Sequence, residues 1–369
     1  MNNFCALPFH HVQVETNGKF AVCCMHSAPS NQNMNINSCT VDEWRNSEYL
    51  AEIRQSFLDD KRHPGCSACW KQEDDGFISL RQRNANEYKI LRVDVNERKI
   101  TNVEIGLSNQ CNLTCLMCDE NSSSAILAEN VKLGINLRSQ TDFKWHDQGY
   151  HNLQELLMQA PRLVNIRGGE PFYIKKLLEL IENIPEDRAR TMALHITTNA
   201  TTWTTRWYEA LKKFKLIRFM FSVDATGELY EYMRFPGQWE TVQSNIDDIC
   251  KLPNAKFLVH CVVQNLNIGS LGSLIDWCKD RALWLNFDLL DRPHYLKITN
   301  LSEQQKSKAV LHLKNIDRAF LEPHHIQTID NSIKLLESSY NEPNEWNDFV
   351  KNISARDRIR GNDYRKFIN

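Results

Sequence analysis

Val103-Glu104-Ile105-Gly106-Leu107-Ser108-Asn109-Gln110-Cys111-Asn112-Leu113-Thr114-Cys115-Leu116-Met117-Cys118 is the stretch that decides the reading of this chain. Its first five residues have the character of a β-strand, and three cysteines follow at Cys-x3-Cys-x2-Cys spacing. Thiolates are soft ligands that select zinc, copper(I) or iron–sulfur clusters. A cubane cluster has four irons, so three thiolates leave one iron to a distant ligand or open to another molecule. An open iron is a place for chemistry, and the spacing points to an enzyme.

Outward from this loop, strand and helix alternate. Residues 103–107, 163–167, 192–198, 216–223, 257–263 and 283–289 read as strands. Residues 122–132, 153–159, 174–183, 205–214, 240–252 and 271–281 read as helices between them. Such alternation implies a parallel sheet built from βα units, with the active site at the C-terminal strand ends. Those ends carry Arg167-Gly168-Gly169-Glu170-Pro171, Thr197-Thr198-Asn199-Ala200-Thr201, Ser222-Val223-Asp224 and Gln264-Asn265. The expected fold is α/β, a partial (β/α)6 TIM-type barrel with a small cysteine-rich N-terminal module, which the resemblance given below implies to be an iron–sulfur module, and a helical C-terminal extension. The boundaries fall at 1–100, 101–295 and 296–369.

The chain has 369 residues, 42% hydrophobic and 24% charged, with a net charge of −2. Near-neutral charge gives no case for nucleic-acid binding. No apolar run approaches the roughly 18 residues of a membrane span, and no basic-then-apolar signal opens the chain. Cytoplasm is the expected location. Twelve cysteines then read as metal ligands rather than disulfides.

Six of them lie in the first seventy residues. Asn17-Gly18 between apolar runs reads as a β-hairpin turn. It places Cys5 before the hairpin and Cys23 or Cys24 at its far end, while Cys66-x2-Cys69 adds a knuckle. Four such thiolates could hold zinc or a fully ligated 4Fe-4S cluster; spacing alone leaves both open. Cys39 has no assignment. Cys261 lies on the fifth strand, where packing is the plain reading and hydrogen donation to a substrate the sharper one. The basic run Arg356, Arg358, Arg360, Arg365 and Lys366 reads as a solvated helical end, with a lid or an anionic-substrate contact as the alternative.

The cysteine loop followed by Gly-Gly-Glu-Pro after the second strand resembles the radical SAM superfamily over residues 102–290. In that family three thiolates hold a 4Fe-4S cluster whose open iron is chelated by S-adenosylmethionine. Reductive cleavage gives a 5′-deoxyadenosyl radical that takes a substrate hydrogen. The resemblance implies Cys111, Cys115 and Cys118 as cluster ligands and Met117 against the adenine. It also implies Gly168, Gly169 and Glu170 at the methionyl group, Asn199 and Ser222 near the ribose or carboxylate, and Arg234 as a carboxylate ligand. The N-terminal pattern resembles SPASM and twitch auxiliary-cluster modules, although those usually follow the barrel. It implies a second 4Fe-4S cluster on Cys5, Cys23, Cys66 and Cys69, with Cys24 the alternative to Cys23. A flavodoxin- or ferredoxin-type electron donor follows from the same resemblance. The expected substrate is a peptide or protein side chain. The alternatives are oxidation of a small molecule such as a sugar or aminocyclitol, and a non-catalytic zinc-binding scaffold.

Overall fold

The computed structural model describes residues 3–29, 33–76, 78–91, 99–135, 137, 145–338 and 343–368. The chain divides into two compact units. The first comprises residues 1–110, 140–196 and 205–217, and the second residues 111–139, 197–204 and 218–369.

In the first unit the strand order is β2-β1-β3-β4-β5. These are Phe20–Ala21 (β2), His11–Val14 (β1), Asn102–Gly106 (β3), Leu163–Arg167 (β4) and Ala193–Thr198 (β5). The turn at Asn17-Gly18 makes β1 and β2 an antiparallel pair, and Gly18 takes the positive φ of +79° that such a turn requires. β1 then runs parallel to β3, β3 to β4 and β4 to β5. The N-terminal segment therefore contributes a strand to the parallel sheet, which its hairpin signal did not reveal.

Side chains on a strand alternate between faces. Val12, Val14, Val103, Ile105, Val164, Ile166, Leu194 and Ile196 form a buried apolar face. The opposite face is polar. Register aligns Gln13 with Glu104, Glu104 with Asn165, and Asn165 with His195, one row across four parallel strands. Parallel sheets usually bury apolar residues on both faces, so this row marks a face held for something other than core packing.

The second unit holds most of Leu216–Ser222 (β6), with Ala255–Val263 (β7) and Trp284–Leu289 (β8) in the order β6-β7-β8; β7 and β8 are parallel. The helices Glu303–Lys314, Pro323–Ser338 and Pro343–Arg360 complete it. A mixed α/β chain with parallel strands joined by helices is consistent with a partial TIM-type barrel and a helical C-terminal region. No described helix is long and apolar enough to cross a membrane.

The basic end departs from expectation. Arg358, Arg365 and Lys366 are exposed, but Arg356 is buried and the Arg360 side chain is only 2% exposed. Both reach Glu129. A pairing between residues more than 200 positions apart is invisible to a local charge count.

Candidate active site

The cysteine loop of the second unit is held from two sides. Thr114 donates to the Phe235 carbonyl through its backbone N–H (2.6 Å) and its hydroxyl (3.0 Å), and the Leu116 N–H donates to the Met233 carbonyl at 2.9 Å. Behind it, Ser123 donates to the Leu113 carbonyl at 2.7 Å while capping the helix Ser124–Lys132. The Cys111 N–H donates to the Ser124 hydroxyl. The loop's conformation is thereby set by the protein.

Its sulfurs are surrounded by donors. The Leu113 N–H points at Cys111 Sγ (3.5 Å), Asn199 Nδ2 lies 3.9 Å from the same sulfur, and Arg234 Nη1 lies 3.7 Å from Cys115 Sγ. Donors and cations favour thiolate over thiol. A hydrogen bond from Cys118, with the charges of Arg234 and Arg360, pulls the buried Cys115 thiol below its ordinary value despite desolvation. Cys118, as the partner that keeps the proton, is pushed up. Asn199 is itself fixed: its Oδ1 accepts from the Thr201 N–H (2.9 Å) and hydroxyl (2.6 Å). Arg234 is tied to Asp224 by Nε at 2.7 Å, and both are buried. Met117 and Ser222 are half-buried.

Compactness separates ligand chemistries. In tetrahedral zinc with bonds of about 2.3 Å, sulfurs sit roughly 3.8 Å apart. Among the described residues no three cysteine sulfurs lie within 4.8 Å of one another; the donor group that does is His26, His63 and Cys66. Cys111, Cys115 and Cys118 form no such compact trio, although the Cys115 and Cys118 side chains are in hydrogen-bond contact.

In the first unit, Gly168 and Gly169 follow β4 with φ of +87° and +54°. A Cβ on Gly169 would collide with the Gln110 carbonyl, and one on Gly168 would lie 2.8 Å from Thr16 Cγ2. The chain's own atoms thus require glycine at both positions. The turn lets the Glu170 N–H donate to the Gln110 carbonyl at 2.8 Å. Glu170 is 1% exposed, and its Oε1 accepts from the Phe172 N–H at 3.1 Å.

Cys5, Cys23, Cys66 and Cys69 line one cavity of the first unit, together with His26 and Arg81. Cys24 is exposed and outside that lining. Burial pushes the thiols of Cys5, Cys23 and Cys66 up to about 12. Thiols held neutral in this way give up their protons only in exchange for a bound metal, which makes metal binding there strongly pH-dependent. Arg81 is locked beside them by Glu73 and donates to the Phe4 carbonyl at 2.8 Å.

Cys261 is packed inside the second unit. It is wholly buried, its Sγ is 3.6 Å from the Asp224 carbonyl, and burial drives its thiol far up. Two features escaped the sequence reading: Arg360 at the cysteine loop, and the polar row of Gln13, Glu104, Asn165 and His195. Alternating polar residues on three of the strands were the available signal for the row.

The sequence profile of the radical SAM superfamily matches residues 105–278. A probable GTP 3′,8-cyclase of Methanocaldococcus jannaschii is 28% identical over 189 residues, 50% of this chain and 56% of that protein. Molybdenum cofactor biosynthesis protein 1 of Dictyostelium discoideum is 26% identical over 56% of this chain and 31% of its own length. The chain thus spans little more than half of the first relative and less of the second. Among solved structures, anSMEcpe with bound AdoMet superposes with a TM-score of 0.41 at 16% identity, covering 57% of this chain and 58% of the other.

Proposed function

The chain carries a radical SAM domain over residues 105–278, and from that premise we propose an enzyme that acts on a small, hydrogen-bond-rich molecule. The family implies a 4Fe-4S cluster and S-adenosylmethionine, whose reductive cleavage supplies a 5′-deoxyadenosyl radical for hydrogen abstraction. The observation that carries the reading is the cysteine loop, which gathers three thiols on one turn fixed by the protein and has N–H donors aimed at two of its sulfurs.

Cys111, Cys115 and Cys118 hold the cluster in this proposal. Glu170 accepts a charge-assisted hydrogen bond from the methionyl ammonium, and Met117 covers the adenine. Asn199 and Ser222 serve the ribose or carboxylate. Arg234, already engaged by Asp224, acts beside the cluster at Cys115 more than at the carboxylate. Cys5, Cys23, Cys66 and Cys69 hold a second 4Fe-4S cluster, and the electron comes from a flavodoxin- or ferredoxin-type donor.

The polar row supports a small-molecule substrate over a peptide or protein one. Gln13 is 2% exposed and its Oε1 has no hydrogen-bond partner, a costly arrangement unless a ligand donor completes it. Arg167 on the same face is paired with Glu104, so the face suits a neutral, donor- and acceptor-rich group. The relative named for GTP 3′,8-cyclase acts, by that name, on a small molecule.

Anaerobic reconstitution followed by reduction with S-adenosylmethionine tests the core reading. Wild type should release 5′-deoxyadenosine and Cys115→Ala should not. Equal release from both, or zinc without iron in wild type, overturns it. Deuterium transfer into 5′-deoxyadenosine from labelled nucleosides, but not from labelled peptides, would support the substrate class; the reverse result would refute it.

A further inference from the structure

Arg360 ends the helix Pro343–Arg360, well beyond the region matched to the superfamily. Its Nη2 donates to the Thr114 carbonyl at 2.7 Å, in the middle of the cysteine loop. Its guanidinium carbon lies 5.5 Å from the centre of the Phe235 ring, and the Phe235 carbonyl is the one that Thr114 grips. Arg360 thus sits on the junction that shapes the loop.

Its hydrogen bonding is only partly answered. Glu129 accepts from Arg360 Nε at 2.8 Å and from Nη2 at 2.7 Å, and it also pairs with Arg356. Two buried cations share one carboxylate, with Asn130 taking the remaining Arg356 contact at 2.9 Å. Arg360 Nη1 is buried and has no hydrogen-bond partner. A buried donor left unmade is unfavourable on its own and calls for an acceptor beside it.

We infer that Arg360 is a positioning residue of the loop's iron–sulfur cluster, clamping Thr114 and placing its positive charge where it favours the reduced cluster. The inference rests on the reading that Cys111, Cys115 and Cys118 hold that cluster. Reduction adds negative charge to a thiolate-ligated cluster, and nearby charge and hydrogen bonds set its potential. Thr114, whose carbonyl Arg360 holds at 2.7 Å, is the immediate sequence neighbour of Cys115.

The test is an EPR-monitored redox titration of the reconstituted protein, following the signal that changes on adding S-adenosylmethionine, with iron release to a chelator as a second readout. Arg360→Met should shift the midpoint to more negative potential and release iron roughly tenfold faster, the worth of one charge-assisted hydrogen bond. Arg360→Lys should restore much of the potential but not the release rate, because an ammonium lacks the guanidinium's fork. Arg356→Met breaks the same Glu129 pairing without touching the loop and should leave the midpoint at the wild-type value. Equal midpoints in wild type, Arg360→Met and Arg360→Lys would overturn the inference. So would equal shifts in Arg356→Met and Arg360→Met, which a merely structural role predicts. A wild type that assembles no S-adenosylmethionine-responsive cluster would instead overturn the functional reading beneath it.

Discussion

Arg234 lies with Nη1 3.7 Å from the sulfur of Cys115 while its Nε holds Asp224 at 2.7 Å. The pair is buried, and Asp224 also accepts from the Val262 N–H at 2.8 Å. Removing one partner of a buried pair leaves the other charge uncompensated, at about 3–5 kcal/mol. Arg234→Met should therefore lower unfolding free energy by about that amount, measured by urea denaturation of the metal-free protein. The double variant Arg234→Met/Asp224→Leu should lose less than Arg234→Met alone. A double variant as unstable as the sum of the two single changes would mean that the two side chains do not interact.

Glu170 has two duties that one substitution separates. Its carboxylate caps the turn at Phe172, and in the proposal it binds the methionyl ammonium. Glu170→Gln keeps an oxygen for Phe172 and removes the charge. Thermal stability should then stay near wild type while affinity for S-adenosylmethionine falls roughly tenfold, the difference between a charged and a neutral hydrogen bond. Glu170→Ala should lower both. Calorimetric titration and a thermal melt of each variant decide the matter.

Much of this architecture was legible because the signal is local. The strand read at 163–167 is Leu163–Arg167 in the structure, and the one read at 216–223 is Leu216–Ser222. The glycine pair before Glu170 was legible as a strand-end feature, but the Gln110 carbonyl pressed against Gly169 comes from a segment some sixty residues earlier. Arg360 looked like one more surface cation because its partners, Glu129 and Thr114, are more than 200 residues distant. The row through Gln13 and His195 required strand register, which alternation within one strand does not supply.

The N-terminal cavity gives a metal count to check. A protein with clusters on both cysteine sets should hold about eight irons, four per cluster. Replacing Cys5 and Cys69 together with alanine should reduce this to about four and leave the S-adenosylmethionine-responsive EPR signal in place. Four irons with one zinc in the wild type would instead assign that region to a single ion, for which His26, His63 and Cys66 supply the compact donor set.

His312 supplies a pH test independent of any metal. The Gly272 N–H donates to His312 Nε2 at 3.1 Å, linking the helix Glu303–Lys314 to the helix Leu271–Asp280. An imidazole that accepts at Nε2 is neutral, and burial lowers its value from the ordinary 6.5. The unfolded chain therefore takes up this proton first as the pH falls. The stabilisation is fully present above 6.5, declines as the pH drops through that value, and levels off once the folded imidazole also protonates. The slope from one such group cannot exceed about 1.4 kcal/mol per pH unit. His312→Gln keeps an acceptor for Gly272 and removes the titration. Its urea midpoint should fall less between pH 8 and pH 5.5 than that of wild type (buffer values of the assay, chosen on either side of about 6.5). Parallel declines in the two proteins would show that His312 does not carry the acid sensitivity.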